Sequence, residues 1–203
     1  MDETLQGALK ERAAAYGLFA RLLNREVDEK TLVELRALPV LAECLDEPED
    51  DAITWLAVDF ARLFIVRDRD ARVAPYPNES VHTSKDHARM DVARDEVRAI
   101  FRAAGVRVVG SQRLGEDHVA LELEFMQILA ERMAQAAAIG DEEAADELLA
   151  QQAAFLDAHL LNWVPAFADI VVATARTRFY RRVARLLKEH LHEDRSFVRE
   201  LLG

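Results

Sequence analysis

The sequence predicts an all-α protein, a single globular bundle of about nine or ten helices, and three observations carry that prediction. Apolar residues recur at spacings of three and four over most of the chain, the period of a helix with one buried face. Five prolines and seven glycines are few for 203 residues, which favours long regular elements over turn-rich β architecture. Nothing alternates with a strand's period of two beyond the four residues "VRVV" (106–109). With 51% hydrophobic residues the chain can bury a substantial core as one domain, residues 1–203.

Leu5, Leu9, Ala13, Tyr16, Ala20 and Leu23 mark a first amphipathic helix over about 3–24. A short helix over 28–38 follows, halted near Pro39. A third covers 48–66, with Pro48 suited to its first turn and Trp55, Phe60, Leu63 and Phe64 as its apolar side. An open loop spans 67–83. Ser84 reads as the N-cap of a helix running to about 104 and ended by Gly105. Residues 106–115 form a linker and hinge between halves 1–105 and 116–203. Such a linker permits the halves to exchange between two protomers of a homodimer.

The segment 117–139 is apolar on almost every side, leaving Ala120, Glu124, Gln127 and Glu131 as a narrow stripe, so it belongs at the centre of the bundle. Gly140-Asp141 separates it from a helix over 142–162 in which Leu156, Leu160 and Trp163 point inward. Pro165 breaks or kinks the chain, and helices over 165–190 and 194–202 complete it.

Composition excludes several classes of function. The lone Cys44, beside Leu41, Ala42 and Leu45, reads as a small core residue and rules out an internal disulfide or an all-cysteine metal site. The start of the chain has no basic region leading into an apolar run, so no signal peptide is expected there. No stretch approaches the roughly 18 apolar residues of a bilayer span, so stable membrane insertion is not expected and the cytoplasm is the expected compartment. The net charge of −11 argues against nucleic acid, which needs a basic face. The one candidate run, Arg176 to Lys188, is expected to pair with the acidic body or face water.

Motifs with chemistry fare no better. "GSQRLGED" (110–117) has the glycine spacing of a phosphate loop, but Glu116 and Asp117 replace its Lys and Ser/Thr and would repel phosphate. His118 and Glu122 lie one helical turn apart without the paired Glu-x-x-His motifs of a metal bundle. No serine has the Gly-x-Ser-x-Gly context of a hydrolase nucleophile. No metal, cofactor or catalysis is expected.

What stands out is polar residues in apolar company. His118, Leu121, Glu122 and Phe125 share one face of the central helix, where an ionised carboxylate is costly unless paired or open to water. Either Asp117 caps that helix, His118 meets a carbonyl and Glu122 an arginine, or an acidic spot in an apolar cleft receives a peptide carrying arginine. The loop "YPNESVHTSKDH" (76–87) carries two histidines and little apolar content between two helices, as though placed for a purpose.

These residues resemble a known family. "EDHVALELEFM" (116–126) is similar to the Asp-His hinge and following helix of the TorD/DmsD-type redox-enzyme maturation chaperones. "PYPNESVHTS" (75–84) resembles their Pro-Tyr-Glu-Ser-Val-Tyr loop, and "FARLFIV" (60–66) the segment before it. "FLDAHLLNWVPAF" (155–167) and "FYRRVARLL" (179–187) resemble their later helices, in the same order. The chain departs by one extra loop residue, by His82 in place of an aromatic, and by Gly115 in place of a proline.

The resemblance implies a cytoplasmic chaperone that is not an enzyme. Its implied partners are the twin-arginine leader and the apo form of a molybdopterin-dependent catalytic subunit, held back from export until its cofactor is inserted. The implied peptide-binding residues are Tyr16, Phe60, Phe64, Pro75, Tyr76, Pro77, Ser80, Asp117, His118 and Glu122. The competing reading is a helical structural or regulatory interaction module that binds no leader.

Overall fold

The computed structural model describes residues 3–45, 51–66, 74–84, 92–109 and 114–203, and among these the fold is helical throughout. Helix α1 (Glu3–Asn24) lies along α7 (Val119–Ile139), the longest contact between any two elements, so the two halves of the sequence share one core. Its buried stripe is the predicted one, with Leu9, Ala13, Tyr16, Ala20 and Leu23 at 4% exposure or less.

Three short helices follow. In α2 (Glu29–Arg36) the Asp28 carboxylate accepts from Thr31 N at 2.8 Å. Pro39 does more than halt it: the proline opens α3 (Pro39–Ala42) from the first turn, where its missing N–H costs nothing. Helix α4 (Ala52–Phe60) runs into a wide π turn, Ala61–Ile65. The expected start of this element at Pro48 lies outside the described residues. Leu56, Phe60 and Leu63 are buried, while Trp55 and Val58 stand half exposed. Cys44 is only partly buried, so it is not the core residue expected of it.

The loop contains a helix of its own, α5 (Glu79–Thr83). Ser84 ends this helix, with its N–H on Ser80 O at 3.1 Å, where it was expected to begin the next one. The next described element is α6 (Val92–Ala103), and it does end at Gly105, whose φ of +69° suits a residue without a side chain.

Helix α7 is buried on nearly every side, through Val119, Leu123, Phe125, Met126 and Leu129 among others, which makes it the axis of the molecule. Gly140 terminates it at φ +78°, and Asp141 caps α8 (Glu142–Phe155) by accepting from Ala144 N at 3.2 Å. A second π turn, Leu156–Leu160, carries the chain directly into α9 (Leu161–Thr174). Pro165 therefore sits inside a continuous helix and does not break it. The wide turn ends at Leu160, next to Leu161, whose carbonyl loses its donor to the proline.

The real break falls at 175–177, and α10 (Arg178–Leu202) is one helix where two were expected. Asp59 of α4 fixes that break. Its carboxylate accepts from Arg176 N, Thr177 N and Thr177 Oγ, the last two at 2.8 Å. Within Glu142–Thr174 an 18-residue window reaches a mean hydropathy of 1.3, enough by length and composition to cross a membrane, where the sequence predicts no such stretch. Half of that window is buried, and Trp163, Val164, Phe167 and Val171 pack into the core.

Candidate functional site

The two segments singled out in the sequence meet at one corner. Val119 N donates to Pro77 O and Glu79 N to Asp117 O, both at 2.9 Å, pairing Asn78 with His118 as an isolated antiparallel bridge. Both residues are extended, each just ahead of a helix, so one short backbone pairing fixes the entries of α5 and α7 together.

Side chains lock the same corner. Asp117, 1% exposed, accepts from Ser80 N at 3.1 Å, from Ser80 Oγ at 2.5 Å and from Asn78 Nδ2 at 3.3 Å. It thus caps α5 across the fold and not α7, the role expected of it. His118 caps α7 instead, its Nδ1 accepting from Ala120 N at 3.2 Å, which requires the neutral ring with the proton on Nε2. A Cβ on Gly115 would come within 2.5 Å of Asp117 Oδ1, so the position at which the family motif has a proline takes glycine in this corner. Arg94 of α6 donates to Glu116 at 2.5 Å. Burial raises the Glu116 carboxyl, but this bond, a backbone hydrogen bond and the charges of Arg94 and Arg98 together hold it below its ordinary range.

Behind the corner lies a buried polar layer. His159 Nδ1 bonds Glu79 Oε2 at 2.9 Å, and Trp163 Nε1 donates to Glu122 Oε2 at 3.1 Å. Burial first, and the charge of Glu79 second, push the Glu122 carboxyl well above its ordinary range. Its partner is a tryptophan, not the arginine anticipated. His82 stacks on Trp163 with ring centres 5.1 Å apart and donates to Tyr76 O at 2.7 Å.

In front of the corner is a cleft of about 350 Å³. Phe60, Phe64 and Ile65 form one wall, and Leu23 and Asn24 at the end of α1 contribute to it. Pro77, Asn78, Leu114, Gly115, Asp117 and His118 form the other.

Five of the ten residues proposed from the sequence, Phe60, Phe64, Pro77, Asp117 and His118, therefore line one cleft. Ser80 supports it from behind by holding Asp117. Pro75 is buried beside it, and Tyr76 contributes its carbonyl to His82. Tyr16 is elsewhere: fully buried on α1, it donates to Asp194 Oδ2 at 2.6 Å within a network with Arg12 and Gln152. Glu122, at 0% exposure, is closed off from any peptide in the cleft. The sequence reading missed Glu79 and His159. The spacing of His159 to Trp163, one helical turn, was the available signal.

Among the described residues no group of three or more His, Cys, Asp or Glu is placed to hold a metal. In the glycine loop, Glu116 and Asp117 are both committed to protein partners. Arg181 and Lys188 of the basic run bond Ala175 O and Asp169.

Comparison with known proteins agrees with this architecture. The family described as the nitrate reductase delta subunit matches residues 28–169. Chaperone protein TorD of Vibrio cholerae is 34% identical over 184 residues, covering 89% of this chain and 79% of that protein. TorD of Vibrio parahaemolyticus is 27% identical, covering 93% and 95%. These relatives are named chaperones, a role without turnover. A crystal structure of a candidate redox enzyme maturation protein from Archaeoglobus fulgidus shares the fold, with a TM-score of 0.56 at 20% identity over 89% of this chain and 93% of that one. The chain belongs to the nitrate reductase delta subunit family, on the branch of the TorD-type redox-enzyme maturation chaperones.

Proposed function

We propose that the protein is a cytoplasmic chaperone for a molybdopterin-dependent oxidoreductase subunit, and that it binds the subunit's twin-arginine leader in the cleft between Phe64 and the Asn78–His118 corner. The single observation that supports this most is that both loop motifs converge on that one cleft, which sets an apolar wall opposite the single carboxylate of Asp117. The leader's apolar stretch lies on Phe60, Phe64, Ile65 and Pro77. One of its arginines approaches Asp117, whose carboxylate offers about four acceptor sites and has three engaged internally. The bound apo subunit, held by its leader, its body or both, is kept from export while its cofactor is inserted.

Calorimetry with a synthetic leader from a molybdopterin oxidoreductase of the same organism tests this. Phe64→Ala and Ile65→Ser remove apolar contact from a half-buried and an exposed position, so the fold is expected to survive both. Each should weaken binding about tenfold, equivalent to about 1.4 kcal/mol. Wild-type affinity in both variants would place the leader elsewhere. No binding by the wild-type protein to any such leader would favour the reading of an interaction module without leader recognition.

A further inference from the structure

Glu122 is fully buried on α7, and only one of its oxygens is satisfied. Oε2 accepts from Trp163 Nε1 at 3.1 Å, while Oε1 has no hydrogen-bond donor among the described residues. Facing it from α5 is Glu79, itself 3% exposed, whose Oε2 meets His159 Nδ1 at 2.9 Å. Asp117, at the entry to α7, adds a further negative charge. Two more histidines border this layer: His118 caps α7, and His82 stacks on Trp163. Among the described residues the cations of the adjoining helices are engaged elsewhere, Arg21 of α1 with Glu34, and Arg94 and Arg98 of α6 with Glu116 and Asp95.

A buried carboxylate with a single donor and like charges beside it is costly, and a proton removes the cost. Burial, the charge of Glu79 and a hydrogen bond between the two side chains all raise the Glu122 carboxyl. Two carboxyl groups can be joined by such a bond only while one of them carries a proton. Glu79 is also the first residue of α5, a helix of five residues. Its neighbours hold the leader cleft: Asn78 pairs with His118, and Ser80 binds Asp117 through both its N–H and its hydroxyl. A push on Glu79 therefore reaches the cleft wall directly.

We propose that a proton shared by Glu79 and Glu122 controls leader binding by keeping α5 seated on the corner. When that proton leaves to solvent, repulsion between the two buried carboxylates displaces α5, and the cleft lets go of the leader. Glu79 and Glu122 touch no leader and act as positioning residues. The inference rests on the leader reading of the cleft. Its sign follows from linkage: affinity is full at low pH and falls as pH rises through the folded-state pKa of Glu122.

Calorimetry with the synthetic leader, from about pH 6 to about pH 9, compares wild type with Glu122→Gln, which keeps the acceptor for Trp163 and has no proton to lose. The histidines titrate in both proteins, so the difference between them isolates Glu122. Wild-type affinity should fall relative to the variant by up to about tenfold per pH unit, the limit for one proton. Glu79→Gln should flatten the dependence from the other side. The seat of α5 has its own readout, taken without leader. The Ser80 and Ser84 amides, bonded to Asp117 Oδ2 and Ser80 O, should exchange faster in wild type than in Glu122→Gln at the upper end of the range. Equal exchange in the two proteins would overturn the proton-held seat, and equal affinities at every pH would overturn its link to the leader. No leader binding by either protein at any pH would instead overturn the leader reading, and this proposal with it.

Discussion

Asp117 accepts from three donors within the corner, two of them from Ser80, so its charge is first of all structural. Asp117→Asn weakens these charge-assisted bonds and should destabilise by about 1.5–3 kcal/mol in urea unfolding. Ser80→Ala loses the hydroxyl bond but leaves the carboxylate, so it should cost about 1 kcal/mol and spare leader binding. Equal loss of binding in the two variants would reduce Asp117 to a capping role. Glu122 makes a pH prediction. Its folded-state pKa lies above the unfolded value, so its stabilising contribution is complete below about pH 4.5 and is lost as pH rises toward the folded value. Glu122→Gln keeps the acceptor for Trp163 and abolishes that dependence. The variant should therefore gain on wild type as pH rises from 5 to 8, by up to about 1.4 kcal/mol per pH unit. A constant difference across that range would show that Glu122 ionises freely in the folded protein.

At the scale of elements, periodicity revealed α1 and α7 because each buries a long apolar face, which no local signal contradicts. The errors fell where a side chain from elsewhere decides a boundary. Thr177 begins α10 because Asp59, over a hundred residues earlier, accepts from its N–H and hydroxyl. Nothing within the local sequence announces that. Removing it in Asp59→Ala leaves Arg176 and Thr177 donors unpaired and should cost about 2–3 kcal/mol. Burial raises the Asp59 carboxyl, but those bonds, together with one from the Arg62 guanidinium at 2.8 Å, outweigh it and hold the group below its ordinary range. Wild type should thus lose the advantage as pH falls below about 4, and the two proteins should converge there. Convergence at high pH instead would contradict the assignment. Pro165 misled for a related reason: the π turn beside it makes an interior proline tolerable, and π turns have no simple sequence signature. On α7, Phe125→Ala should cost about 3–5 kcal/mol, as large-to-small core changes do. A loss under about 1 kcal/mol would mean that the surrounding helices collapse onto the gap.

Across the whole molecule, the cleft before the Asn78–His118 corner was half legible in the sequence. Phe60, Phe64, Pro77, Asp117 and His118 could be grouped from the sequence because they fall in motifs whose order resembles the family's. Tyr16 and Glu122 could not be separated from them, because an aromatic or an acid on a helix face looks the same whether it lines a cleft or closes a core. Tyr16 is committed to Asp194, and Glu122 to Trp163. The central claim is that the cleft before the Asn78–His118 corner receives the leader. Amide hydrogen exchange, with and without a saturating leader peptide, tests it most directly. Slowed exchange is expected at residues 60–65 and 114–118, which contribute to its two walls, with little change along α10. Protection confined to α10, or none at saturation, would contradict the account.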